Sequence, residues 1–200
     1  MQHLQFTQHL TLQFPSLDID TLQIIASCDA SFRNRLDHSS QLGYAIILTD
    51  ESRRCCFIKF KSYKSKRVTR SSTAGKTLAF ADAFDAGYVL KHNLSRLLDR
   101  DIPLLMLTDS DGRFRVLTKS RYAVERRLMV DIAAVRESHG RGDISNIVLI
   151  ESKFNIAEGL TKAGPNHALW KALTIGKIDR PISEWVIEKD ARRVQQTLQK

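Results

Sequence analysis

The stretch Leu22-Gln23-Ile24-Ile25-Ala26-Ser27-Cys28-Asp29 decides the fold. Its apolar residues fall on both alternating positions, which predicts a strand over 22–32 buried on both faces. An acidic residue, Asp29, closes the run. The same wording recurs at Pro103-Leu104-Leu105-Met106-Leu107-Thr108-Asp109-Ser110, where Asp109 closes a second apolar run. A third run, Asn146-Ile147-Val148-Leu149-Ile150, is followed by a short amphipathic segment carrying Glu158. Carboxylates at the ends of buried strands are one way a sheet gathers a hard cation.

Working outward, residues 42–50 read as a second strand and residues 55–61 as a half-exposed third. Their short links imply an antiparallel meander. Ser72 or Thr73 is placed to cap a following helix, whose apolar period runs through Leu78, Phe84, Tyr88, Val89 and Leu97 to about residue 99. A strand at 103–108, a helix at 121–138 ended by Gly140 and Gly142, a strand at 146–151 and a short helix from Ile156 complete the order β-β-β-α-β-α-β-α. That order predicts a mixed α/β (α+β) fold, a five-stranded mixed sheet with helices on both faces. Three regions are expected: an N-terminal extension 1–21, a domain 22–163, and a C-terminal helical tail 164–200 beyond the break at Gly164-Pro165, with helices at 166–175 and 183–199.

Of the 31 basic residues, nine lie between 53 and 76: Arg53, Arg54, Lys59, Lys61, Lys64, Lys66, Arg67, Arg70 and Lys76. No acidic residue interrupts them, while the rest of the chain holds 22 basic and 22 acidic groups. A net charge of +9 gathered on one segment points to a polyanionic partner; lysines guarding an exposed sheet edge are the competing structural reading. The three cysteines, two of them adjacent, suit neither a disulfide framework nor a zinc site, and point to a reducing compartment. No apolar run reaches membrane-spanning length, and the first fifteen residues lack the form of a secretory signal. A cytoplasmic or nuclear location is the expectation.

Seven short phrases, in order, resemble the ribonuclease H domain of copia-type retrotransposon polyproteins. They are Cys28-Asp29-Ala30-Ser31-Phe32, Ser40-Gln41-Leu42-Gly43-Tyr44, Lys64-Ser65-Lys66-Arg67-Val68-Thr69-Arg70-Ser71, Ala81-Asp82-Ala83-Phe84-Asp85, Thr108-Asp109-Ser110, Glu125-Arg126-Arg127-Leu128-Met129-Val130-Asp131-Ile132 and Asn155-Ile156-Ala157-Glu158-Gly159-Leu160-Thr161-Lys162. The resemblance spans about residues 22–163 and implies a ribonuclease H-like fold. It further implies metal-dependent cleavage of the RNA strand of RNA–DNA hybrids, with Mg²⁺ or Mn²⁺ as cofactor. A reverse-transcriptase domain would neighbour such a domain in the parent polyprotein, but no Tyr-x-Asp-Asp motif is present here.

The family holds two ions about 3.5–4 Å apart with four carboxylates. Carried onto this chain, the resemblance makes Asp29, Asp109 and Glu158 the catalytic and metal-holding residues, Glu158 standing where this type usually has Asp. The family's remaining ligand is a Glu in the first turn of the long helix, and Lys76 falls on that position. With Thr73 as cap, residue 76 would be the third helical position, where Glu completes a capping box and lysine opposes the helix dipole. At about 4 Å and an effective dielectric near 20, each unit of charge change is worth roughly 4 kcal/mol. The second ion site is therefore expected to be lost. Two readings compete: a domain with impaired or absent catalysis that serves as a nucleic-acid-binding or structural module, and a one-metal nuclease in which the ammonium replaces an ion. Asp111 is the one nearby carboxylate placed to rescue the site. A strand-transfer enzyme of the same superfold and an inert genomic fragment are further alternatives.

Nucleic-acid contact is expected from Lys59, Lys61, Lys64, Lys66, Arg67, Arg70 and Ser72, with Ser31, Arg33, Asn34 and Arg35 as a further polar turn. Ala74-Gly75-Lys76-Thr77 imitates the end of a phosphate-binding loop, but Arg70 stands where that motif needs its first glycine. His139 precedes the last strand rather than following it, and reads as a helix-terminal residue.

Overall fold

The structure, a computed structural model, describes residues 11–32, 39–118 and 126–179. Five strands form one sheet in the order β3-β2-β1-β4-β5. Strand β1 is Gln23–Ser31, β2 is Gln41–Thr49 and β3 is Cys55–Lys64. These three form the antiparallel meander. Strands β4 (Leu104–Thr108) and β5 (Asn146–Leu149) add in parallel on the other side of β1. Central β1 is buried along nearly its whole length, as its unbroken apolar run requires.

Helix α1 (Ser72–Leu97) lies on one face of the sheet. Ile24, Ala26, Cys28 and Ala30 of β1 meet Leu78, Ala79, Phe80 and Ala83 there. Two shorter helices, α2 (Asp111–Thr118) and α3 (Met129–Arg141), complete that layer through Leu117, Ile132 and Val135. The opposite face buries Ile25, Ala45, Ile47 and Val148 against Ile156 and against Ala168 and Ala172 of α4 (His167–Thr174). Helices thus flank both faces of the sheet. The second core continues to Ile178, beyond the expected boundary at residue 163. The residues around Pro15 join it: Gln13 N–H donates to Leu173 O and Cys56 Sγ to Pro15 O.

Several local expectations are corrected. The cap of α1 is Ser71, whose hydroxyl accepts from Ala74 N–H; Ser71, Ser72 and Thr73 carry the same capping chemistry, and the earliest one is used. Lys76 therefore lies a turn into the helix rather than at the third position. Gly75 is not a weak point in that turn: a Cβ there would sit 3.2 Å from the Ala30 methyl, so glycine lets α1 approach β1. Tyr88, Val89 and Leu97, assigned to the apolar face by period, are exposed, because that end of α1 packs on the core through Leu90, Leu94 and Leu98 instead. Helix α2 is an element that the sequence pattern does not predict. Helix α3 runs through Gly140 and stops at Gly142. The expected helix start at 121–125, Arg33–Arg35 and the helix 183–199 lie outside the described residues.

Candidate functional site

The C-terminal ends of β1 and β4 lie side by side, because the two strands are paired in parallel. Asp29 and Asp109 are thereby brought together, and both are essentially buried, with side-chain exposures of 0% and 1%. Helix α1 delivers Lys76 between them. Its Nζ lies 2.7 Å from Asp109 Oδ1 and 3.1 Å from Asp29 Oδ1. The contact with Asp109 is a hydrogen bond. That with Asp29 Oδ1 is an ion pair outside hydrogen-bonding geometry, and this buried oxygen has no other hydrogen-bond partner among the described residues.

A second cation, unforeseen from the sequence, backs the first. Arg113 of α2 is 1% exposed and ranks among the largest fully buried side chains. Its Nε donates to Thr108 Oγ1 at 2.9 Å, its Nη1 donates to the backbone carbonyl of Lys76, and its Nη2 lies 3.8 Å from Asp109 Oδ1. A signal for it existed in Ser110, which accepts from Arg113 N–H, and in the four-residue spacing from Asp109 to Arg113. Burial alone pushes the Asp109 carboxyl up, but the Lys76 hydrogen bond and charge, the Arg113 charge and the Ser152 hydroxyl together hold it below its ordinary value. Cys28, beneath Arg113, is pushed up to about 11, chiefly by burial.

The remaining members of the set diverge. Asn155 is fully buried: its Oδ1 accepts from Ser27 Oγ at 2.6 Å and from Ala157 N–H, and its Nδ2 donates to Cys28 O. This knot fixes the one-turn 3₁₀ segment Ile156–Leu160 under β1. The segment fits because β2 has glycine opposite Asp29: a Cβ on Gly43 would meet Thr161 Cγ2 at 2.8 Å. Thr161 Oγ1 in turn donates to Asp29 Oδ2. Glu158, however, pairs at 2.5 Å with Lys162. Asp111 turns to the surface and pairs with Arg115 at 2.8 Å, so it supplies no rescue. Gly75 and Lys76 lie inside α1, which excludes a phosphate-binding loop.

The donor set does not fit a pair of divalent cations. Among the described residues, no group of three or more carboxylate, histidine or cysteine side chains is placed to hold a metal ion. The two clustered carboxylates already face two cations, and the position between them belongs to an ammonium.

The basic residues divide by burial. Lys59, Lys61, Lys64, Lys66, Arg67, Arg70 and Ser72 are exposed on β3, on the connection to α1 and at the first residue of that helix. Arg67 pairs with Asp131 at 2.9 Å, and Lys61 lies over the Tyr63 ring at 4.3 Å. Phe60, on the same strand, is 63% exposed. No helix among the described residues is long and apolar enough to cross a membrane.

No family model matches the chain, and no curated protein matches it in sequence. Its fold does match solved structures, and it is a ribonuclease H-like fold. The chain is similar to LC11-RNase H1, a ribonuclease H1 isolated from compost, at 19% identity and a TM-score of 0.52, over 70% of this chain and 92% of that one. Ribonuclease H1 from the halophilic archaeon Halobacterium salinarum gives 15% identity and a TM-score of 0.49, over 70% and 94%. At such identity the likeness to the compost enzyme speaks to the fold alone.

Proposed function

We propose that this chain is a ribonuclease H-like domain of copia-type retrotransposon descent that binds RNA–DNA hybrid without cleaving it. The observation that carries the reading is the Lys76 ammonium lying 2.7 Å from Asp109 and 3.1 Å from Asp29. An ammonium gives the two carboxylates a permanent counter-charge but has no open coordination position. It does not coordinate a water and lower its pKa as a bound metal ion does. Arg113, Thr161 and Ser152 tie the same carboxylates down further. What the cleft leaves untouched is the exposed basic set Lys59, Lys61, Lys66 and Arg70, which suits phosphate contacts that fix position without reading bases. The seven ordered phrases and the fold support the descent.

The test is incubation of the full chain with labelled RNA–DNA hybrid in Mg²⁺ and in Mn²⁺, beside a binding titration at several salt concentrations. The expected result is intact RNA together with binding whose log affinity falls linearly with log salt. Cleavage that disappears in Asp109→Asn would overturn the silent reading. An affinity indifferent to salt would overturn the nucleic-acid reading.

A further inference from the structure

Asp109 has two cationic neighbours, and only one occupies the position where the family resemblance places glutamate. The geometry points to Arg113 as a second built-in counter-ion that withholds Asp109 from divalent cations independently of Lys76. Restoring glutamate at position 76 would then not recreate a two-ion site. This inference rests on the silent-site reading and extends it to a residue of α2.

Arg113 is held on several sides. Thr108 Oγ1 accepts from Nε at 2.9 Å and also from Nη2, Cys28 Sγ accepts from Nη1 at 3.5 Å, and the guanidinium carbon lies 5.4 Å from the Phe80 ring centroid. Swinging away would strand buried donors and acceptors, each costly to leave without a partner. Its hold on residue 76 runs through the backbone carbonyl, which any side chain at that position retains.

Charge accounting sets the consequence. With glutamate at 76, three carboxylates would face one fixed guanidinium, and the neighbouring Glu158–Lys162 pair adds no net charge, leaving two negative charges for cations to neutralise. One divalent ion satisfies that balance, whereas without the guanidinium one negative charge would remain beside a bound ion and draw a second. A second ion near Asp109 would meet Arg113 as a like charge in a site of low polarisability. Arg113 acts through Asp109, and is a positioning residue.

The experiment counts Mn²⁺ ions bound per chain, from the loss of the free-ion electron paramagnetic resonance signal, using the full chain. Wild type is expected to bind none at this site, Lys76→Glu at most one, and Lys76→Glu with Arg113→Gln two. Two ions in Lys76→Glu alone would overturn the assignment. A folded double variant that still binds one would do the same. If circular dichroism shows the double variant unfolded, Lys76→Glu with Arg113→Lys decides, because it keeps the charge: at most one ion supports the inference and two ions overturn it. A purely packing role for Arg113 predicts two ions in every folded Lys76→Glu variant. Cleavage by wild type would sink the silent reading while leaving these counts to judge Arg113 separately.

Discussion

Lys76 and Lys59 stand on neighbouring elements of one basic segment, yet they do opposite things. Lys76 points into the cleft at the ends of β1 and β4 and is consumed by two buried carboxylates. Lys59 stands on edge strand β3 with its side chain in water. The basic block from 53 to 76 is uniform in sequence but not in environment. Arg54 pairs with Asp50 at 2.7 Å, Arg67 with Asp131, and Lys76 with Asp29 and Asp109. Net charge therefore overstates the surface on offer to a polyanion, because carboxylate partners already engage part of it.

The largest effect is expected where that contrast is sharpest. Lys76→Met leaves two adjacent carboxylates buried beside one guanidinium, and should cost about 3–5 kcal/mol of stability. Urea unfolding checks it, and a loss well under 1 kcal/mol would show that the cleft charges are solvated after all. Next comes Thr161→Val, which strips the hydroxyl donor from buried Asp29. A hydrogen bond to a charged group is worth about 1.5–3 kcal/mol, and the same unfolding assay reads it.

Acid should act on the cleft through Asp109. The folded Asp109 carboxyl lies below its ordinary value of 3.8, so its contribution is fully present above that value. It is lost as pH falls through the depressed folded value. Stability measured against pH should drop in that window, and Asp109→Asn should flatten this part of the curve. The smallest change in stability belongs to the edge. Replacing Lys59 and Lys61 by alanine should move unfolding by within about 0.5 kcal/mol, while lowering the salt slope of hybrid binding by about 1 for each lysine that pairs with a phosphate. An unchanged slope would assign these lysines to edge protection instead.

Much of this contrast is legible in the sequence. The runs ending at Asp29 and Asp109 specify buried parallel strands because both faces are apolar, and parallel pairing then brings their ends together. The placement of Lys76 follows from the helix beginning near Ser72. Helix α2 is not legible in the same way. Asp111-Gly112-Arg113 reads as a polar loop, and arginine is a residue type almost never fully buried without a partner. Its burial depends on Thr108, Cys28 and the Lys76 carbonyl, which meet only after β1, α1 and β4 have assembled. Glu158 misleads for the converse reason: its phrase fits the family pattern, but Lys162, one helical turn on, competes for it. The capping of α1 is ambiguous because three consecutive residues carry a hydroxyl.

The second core has a consequence for how the chain acquires its shape. The face of β1 and β2 that carries Ile25 and Ile47 is covered by Ile156, Ala168, Ala172 and Ile178, with Gln13 and Pro15 tied alongside. The first layer draws on segments from Leu17 to β5, many of them neighbours in sequence. Closing the second brings together segments more than 150 residues apart, the kind of distant pairing that slows folding. During synthesis the underside of the sheet therefore stays greasy until residue 178 has emerged. A version cut after Lys162 or Ala163 would keep every residue of the charged cleft and leave the part of that underside covered by Ala168, Ala172 and Ile178 open to solvent for good.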